Sequence, residues 1–114
     1  MRPIVLTLLA VACGGGGGPC PNVSGRTYRI TETDDVANCP GSKGTLVYFE
    51  TFESDHSCTV GGFNFERVWQ QSGCALTVSG PDVIEQLAFD AGTLGGEGHT
   101  DAGCSYSLAG VSAN

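Results

Sequence analysis

The sequence predicts an all-β fold: a small antiparallel β-meander, built as a sandwich or a partly closed barrel and braced by disulfides. Three observations predict it. Turn-forming residues recur roughly every ten positions, the rhythm of small all-β domains. Helix formers are scarce, and the segments between turns alternate with Val, Thr, Tyr and Phe, residues that fit a half-buried pleated surface. Six cysteines in 114 residues suit a small domain stapled covalently outside the cytosol.

Taken in order, Thr27 to Thr31 alternates with Tyr28 and Ile30 on one face. Thr45 to Phe52 (TLVYFETF) is the strongest strand. It offers two faces, Leu46, Tyr48, Glu50 and Val47, Phe49, Thr51, and the second is expected to point inward. Gly61-Gly62 marks a bend or bulge within Thr59 to Phe65. Glu66 to Gln70 continues as a strand with Val68 and Trp69 on opposite faces, and Gln71-Ser72-Gly73 is a turn. Cys74 to Ser79 follows with Leu76 or Val78 inward. Pro81 to Asp90 reads as a helix if Ile84, Leu87 and Ala88 share a face, or as a strand with Val83, Glu85, Leu87 and Phe89 together; the all-β context favours the strand. The glycine-rich run from Gly95 to Asp101 is expected to be a hairpin loop, and Ser105 to Val111 closes the series with Tyr106, Leu108 and Gly110 on one face.

The N-terminus has a different character. Met1-Arg2 is a minimal positive start, and Ile4 to Ala12 is apolar but for Thr7. That stretch is far shorter than the roughly 20 residues of a spanning helix, and it has the length of a signal-peptide core. It ends Ala10-Val11-Ala12-Cys13, which resembles the lipobox of bacterial lipoprotein precursors. The resemblance implies cleavage before Cys13 by the lipoprotein processing machinery and attachment of diacylglycerol and a further acyl chain to Cys13. Two chains anchor stably where one does not. By the sorting rule of such lipoproteins, Gly14 rather than Asp after the cysteine points to the outer membrane over the inner. Gly14 to Gly18 with Pro19 forms a flexible tether with a reach of about 13 Å. The chain thus divides into a signal peptide at 1–12, the lipidated Cys13 with its tether at 13–19, and a β-domain at 20–114.

Removing the signal sharpens the composition. Four basic residues then face twelve acidic ones, and Leu, Ile, Val and Phe number 20 in 102 residues. So acidic a domain lacks the basic patch that nucleic-acid binding needs. So sparse a core calls for disulfides among Cys20, Cys39, Cys58, Cys74 and Cys104. Spacing does not fix the pairing; Cys74 with Cys104 is expected, plus one bridge among Cys20, Cys39 and Cys58. The odd thiol is expected to be buried and free, in preference to pairing with a partner chain.

Val68 to Val78 (VWQQSGCALTV) loosely resembles a hairpin of small secreted or lipidated bacterial β-domains of unknown function, which implies a meander and no activity. Such domains continue with another strand beyond the last cysteine, so an open edge that could pair with another chain is expected here.

Several chemistries can be weighed. His56 with Cys58, and His99 with Cys104, have donors at zinc-like separations, but an oxidising compartment favours disulfides. Calcium is suggested by Asp34, Asp35, Glu50, Glu53, Asp55, Glu97 and Asp101, and Gly95 to Asp101 approaches a calcium-binding nonapeptide that works only in tandem. Asp55-His56-Ser57 has the residue types of a hydrolytic triad, yet neighbours on an extended chain point in alternate directions. Glu50 and Glu53 could serve as a glycosidase pair, but a domain this small leaves little room for a cleft. Trp69 reads as a core anchor before a sugar platform. No catalytic, cofactor-binding or metal site is assigned. The expected function is a lipid-anchored binding or structural module of the bacterial envelope, with a membrane partner through Cys13 and a protein or glycan partner of unspecified kind. The alternative is a calcium- or zinc-binding or small hydrolytic envelope protein.

Overall fold

The structure is a computed structural model that describes residues 20–113. The signal peptide, Cys13 and the tether lie outside the described residues. Eight antiparallel strands follow one another around a closed barrel: β1 (Arg26–Asp34), β2 (Thr45–Phe52), β3 (Ser57–Val60), β4 (Phe63–Ser72), β5 (Ala75–Ser79), β6 (Val83–Asp90), β7 (Thr93–Thr100) and β8 (Ser105–Ser112). Each pairs with its sequence neighbours, and β8 returns to β1, with Tyr28 opposite Ser112 and Asp34 opposite Tyr106. The expected open edge is therefore closed, because an eighth strand supplies the last partner and closure removes both edges.

That eighth strand is β7, where the sequence suggested a loop. Leu94 is buried, and Gly96 and Gly98 continue its inward face. Glycine is required there for space. A Cβ on Gly98 would lie 2.5 Å from the Tyr106 ring, and one on Gly96 would strike the Gln86 backbone carbonyl. Residues 83–90 form a strand, with Val83, Glu85 and Leu87 buried and Phe89 half-buried on one face, as the period-two pattern suggests.

β2 reverses the expectation for its faces. Glu50 and Phe52 are buried and Tyr48 is half-buried, whereas Val47 (59% exposed) and Phe49 (52% exposed) face outward. Register decides this. Tyr28 pairs with Glu50, and Phe52 pairs with Cys58, so these residues share the inner face of neighbouring strands.

The up-and-down path gives the barrel two ends. The rear end carries the β2–β3, β4–β5 and β6–β7 turns and residues 20–25, and the front end carries the other loops. Val23 is fully buried and plugs the rear. Its N–H donates to Gln71 Oε1 at 3.0 Å, and Gln71 Nε2 donates to the Pro21 carbonyl at 2.7 Å. Cys20–Cys74 staples this plug to the β4–β5 turn, and Cys39–Cys104 joins the β1–β2 loop to the β7–β8 loop at the front. The expected Cys74–Cys104 bridge is corrected by topology, because those residues lie at opposite ends. Cys58 is the odd thiol, free and buried.

Large apolar side chains gather toward the rear. Tyr28 packs edge-on against Phe52 at 5.8 Å, and Phe52 against Trp69 at 6.2 Å. Such T-shaped contacts put a ring's positive edge on its neighbour's negative face. Trp69 is 3% exposed, and its Nε1–H donates to the Glu53 carbonyl at 2.9 Å. The interior toward the front is polar, and the candidate site lies there.

Candidate functional site

Period-two alternation brings three glutamates inside the barrel: Glu32 near the front end of β1, Glu50 on β2 and Glu85 on β6. Glu50 and Glu85 are 1% and 0% exposed. A buried carboxylate is costly unless it is paired, hydrogen-bonded or protonated. The surrounding strands answer in all three ways. Tyr106 Oη donates to Glu85 Oε2 at 2.7 Å, and the Arg67 guanidinium stands 3.6 Å from the same oxygen. Tyr48 Oη donates to Glu32 Oε1 at 3.0 Å, and the Cys58 thiol neighbours Glu50.

Arg67 reaches the interior through a bulge. Thr59 pairs with Asn64, but Cys58 pairs with Arg67, so Phe65 and Glu66 are extra residues on β4. Continued pairing would have set Phe65 opposite Cys58. The bulge gives that inward position to Arg67 instead, and Phe65 emerges at the surface. A bulge of this kind re-aims a side chain. Glu66 carries the conformational cost with φ of 62°, supported by its N–H donating to Asn64 Oδ1 at 2.7 Å.

The charges do not balance. Against the three glutamates stands one guanidinium, which burial disfavours but which Glu85 and Glu50 hold charged. Protonation makes up the difference. Burial, reinforced by Glu85, pushes Glu50 up to about 8. Burial also raises Glu32 to about 7, with help from its hydrogen bond to Asp34. Asp34 is lowered by the neighbouring Glu32 and by the Ser42 hydroxyl, which donates to Asp34 Oδ2 at 2.6 Å. Burial raises Glu85 too, opposed by Tyr106 and Arg67. Burial and the neighbouring Glu50 drive the Cys58 thiol far above the usual range, which leaves it unreactive. Even so, Asp34 Oδ1, Glu50 Oε2 and Glu85 Oε1 are buried with no hydrogen-bond partner.

The residues singled out from sequence meet different fates. Cys104 is consumed in a bridge and Cys58 is sealed in the core, so neither stands ready beside a histidine. Among the described residues, no group of three or more His, Cys, Asp or Glu is placed to hold a metal ion. Gly95 to Gly98 are strand residues paired with β6 and β8. Ser57 Oγ donates to Asp55 at 2.6 Å while His56 Nδ1 contacts the Trp69 carbonyl at 2.9 Å, so the three do not form a relay. Glu53 accepts from Thr59 and has no contact with Glu50 among the bonds described. The His56 ring stacks 4.3 Å from Trp69 and covers it, which removes Trp69 as a sugar platform.

Glu32 and Glu85 were missed as candidates. The signal was present, since Glu85 lies between Val83 and Leu87 at two-residue spacing and Glu32 follows Tyr28 and Ile30 in the same phase. No protein-family description, curated protein or solved structure matches the chain.

Proposed function

We propose that the chain is a lipid-anchored binding module of the bacterial cell envelope, tethered through Cys13 with its β-domain outside the cytoplasm. The observation that carries the reading is the distribution of the cysteines. Four are used in two bridges and Cys58 is buried, which leaves Cys13, directly after an apolar signal-like stretch, to receive lipid. Two bridges in so short a domain favour an oxidising compartment. The polar, incompletely satisfied barrel interior favours binding over a purely structural role, since a structural core is better served by apolar packing.

The tether enters at Cys20, and Cys20 is bonded to the rear of the barrel. In this reading the rear faces the membrane and the front, with its acidic interior, faces away from it. Expression in a bacterium fed an alkyne-tagged fatty acid tests the anchor. The full chain takes up the label and sediments with membranes, whereas Cys13→Ser loses the label and is released. A Cys13→Ser protein that stays membrane-bound overturns the reading.

A further inference from the structure

We infer that the cleft between the β4 bulge and the β5–β6 loop, at the front of the barrel, binds a short neutral oligosaccharide with one pyranose ring stacked on Phe65. The inference rests on the reading of the domain as a binding module and names its ligand class.

The cleft has a volume of about 530 Å³ and is lined by Asn64, Phe65, Glu66, Arg67, Pro81 and Asp82. That lies within the roughly 300–1,000 Å³ common for small-ligand sites. Both walls are fixed by backbone. On one side the bulge turns Phe65 out of the barrel. On the other, the Gly80 N–H donates to the Val83 carbonyl at 2.9 Å, and the Asp101 N–H donates to the Asp82 carbonyl at 3.0 Å. Gly80 lets the walls meet, because a Cβ there would press on Arg67 Cγ at 3.1 Å and Val83 Cγ1 at 3.2 Å. A ligand therefore finds the surface already formed, which spares the cost of ordering it.

The lining joins an aromatic platform to polar groups with bonding capacity left. Phe65 is 53% exposed, and the still more exposed Phe63 ring lies 6.4 Å from it, centroid to centroid. A phenyl face is the negative side of its quadrupole and suits the weakly positive C–H face of a pyranose. Beside it, Asn64 Oδ1 accepts from the Glu66 N–H, which leaves the Asn64 amide N–H groups to donate. Arg67 meets Glu85 through Nη1, so Nε and Nη2 remain as donors. Among the described residues no hydrogen bond or ion pair engages the Glu66 or Asp82 carboxyl. Sugar hydroxyls both donate and accept, and they need such donors and acceptors side by side. The two carboxyls and the acidic chain around them disfavour acidic sugars, so the ligand is neutral.

The cleft at the rear, of about 440 Å³, has neither property. His56 covers its Trp69, and the Gln71 amide is spent on Val23, Pro21 and Gly73.

The test is a nuclear magnetic resonance titration of the 15N-labelled full mature chain, in a detergent without a sugar headgroup, with cellotriose, maltotriose and chitotriose. At least one of the three should give saturable one-to-one shifts of amides centred on residues 64–67 and 80–82. Saturation of aromatic protons should pass to its pyranose C–H protons. Phe65→Ala alters an exposed residue, keeps a folded spectrum and weakens binding about tenfold. Phe49→Ala, 52% exposed on the outer wall of β2, leaves binding unchanged. The inference is overturned if none of the three sugars shifts the folded protein saturably, or if the shifts centre on the rear cleft. Equal binding by folded Phe65→Ala, or an equal loss in Phe49→Ala, also overturns it. Fatty-acid labelling is read on the same preparation: labelled protein that binds no sugar removes this site and leaves the anchor standing, and unlabelled protein that binds one does the reverse.

Discussion

Replacing Glu50 with Gln should stabilise the protein at alkaline pH and leave it nearly unchanged in acid. Glu50 is raised from an ordinary 4.5 to about 8, chiefly by burial. Below 4.5 the carboxyl is protonated whether the chain is folded or not, and Gln is close to its isostere. Between 4.5 and 8 the unfolded chain has released this proton and the folded chain keeps it. Stability then falls as pH rises, by about 1.4 kcal/mol per unit for one group. Across the window the loss reaches about 5 kcal/mol, and it levels off above pH 8. Domains are commonly stable by about 5–15 kcal/mol, so the effect is a large share of the whole. Guanidinium unfolding with the bridges intact, followed by Trp69 emission, measures it. The variant should match the parent at pH 4 and exceed it by about 4 kcal/mol at pH 8. An equal difference at both pH values would mean that burial does not hold the Glu50 proton, and the account of the cluster would fall with it.

Other consequences can be checked separately. Gly98→Ala forces a Cβ to within 2.5 Å of the Tyr106 ring and should cost about 1–3 kcal/mol by thermal unfolding, with loss of the near-ultraviolet tyrosine signal. Replacing Cys39 and Cys104 together by Ser opens a loop of sequence separation 65 and should cost about 4 kcal/mol in denaturant. Cys58 should resist iodoacetamide in the native protein and gain one carbamidomethyl group by mass spectrometry once guanidinium unfolds the chain, because its thiol is buried and held protonated.

The class of fold was legible because alternation survives in β1, β6 and β8: Tyr28 and Ile30, Val83 to Phe89, and Tyr106 to Gly110 sit inward as read. β2 misled because its outward residues, Val47 and Phe49, are more apolar than the inward Tyr48 and Glu50. Counting apolar residues picks the wrong face when a strand carries a polar site. β7 was hidden for a related reason, since its inward volume is supplied by Tyr106 from the next strand and its own positions are glycine. β7 also decides the bridge, because it carries the loop holding Cys104 to the front, beside Cys39 and away from Cys74. The three carboxyls were visible as residues but not as a group, because their meeting depends on barrel closure, and Arg67 joins them only through a bulge that no spacing announces.

The placement of the two bridges also sets how the domain carries mechanical load. Tension applied at the N-terminus does not simply peel β1 away from its neighbours, since at Cys20 it divides between β1 and a covalent path to Cys74 in the middle of the chain. The second bridge connects Cys39 directly to Cys104. With both intact, the shortest covalent route from Cys20 to the C-terminus crosses only the stretch to Cys39 and the stretch after Cys104. A fully pulled chain would therefore extend about 100 Å between Cys20 and the C-terminus, near a third of the length its residue count allows. Of the eight strands only β1 and β8 lie on that route, so they carry the extension while the bridges shield β2 to β7.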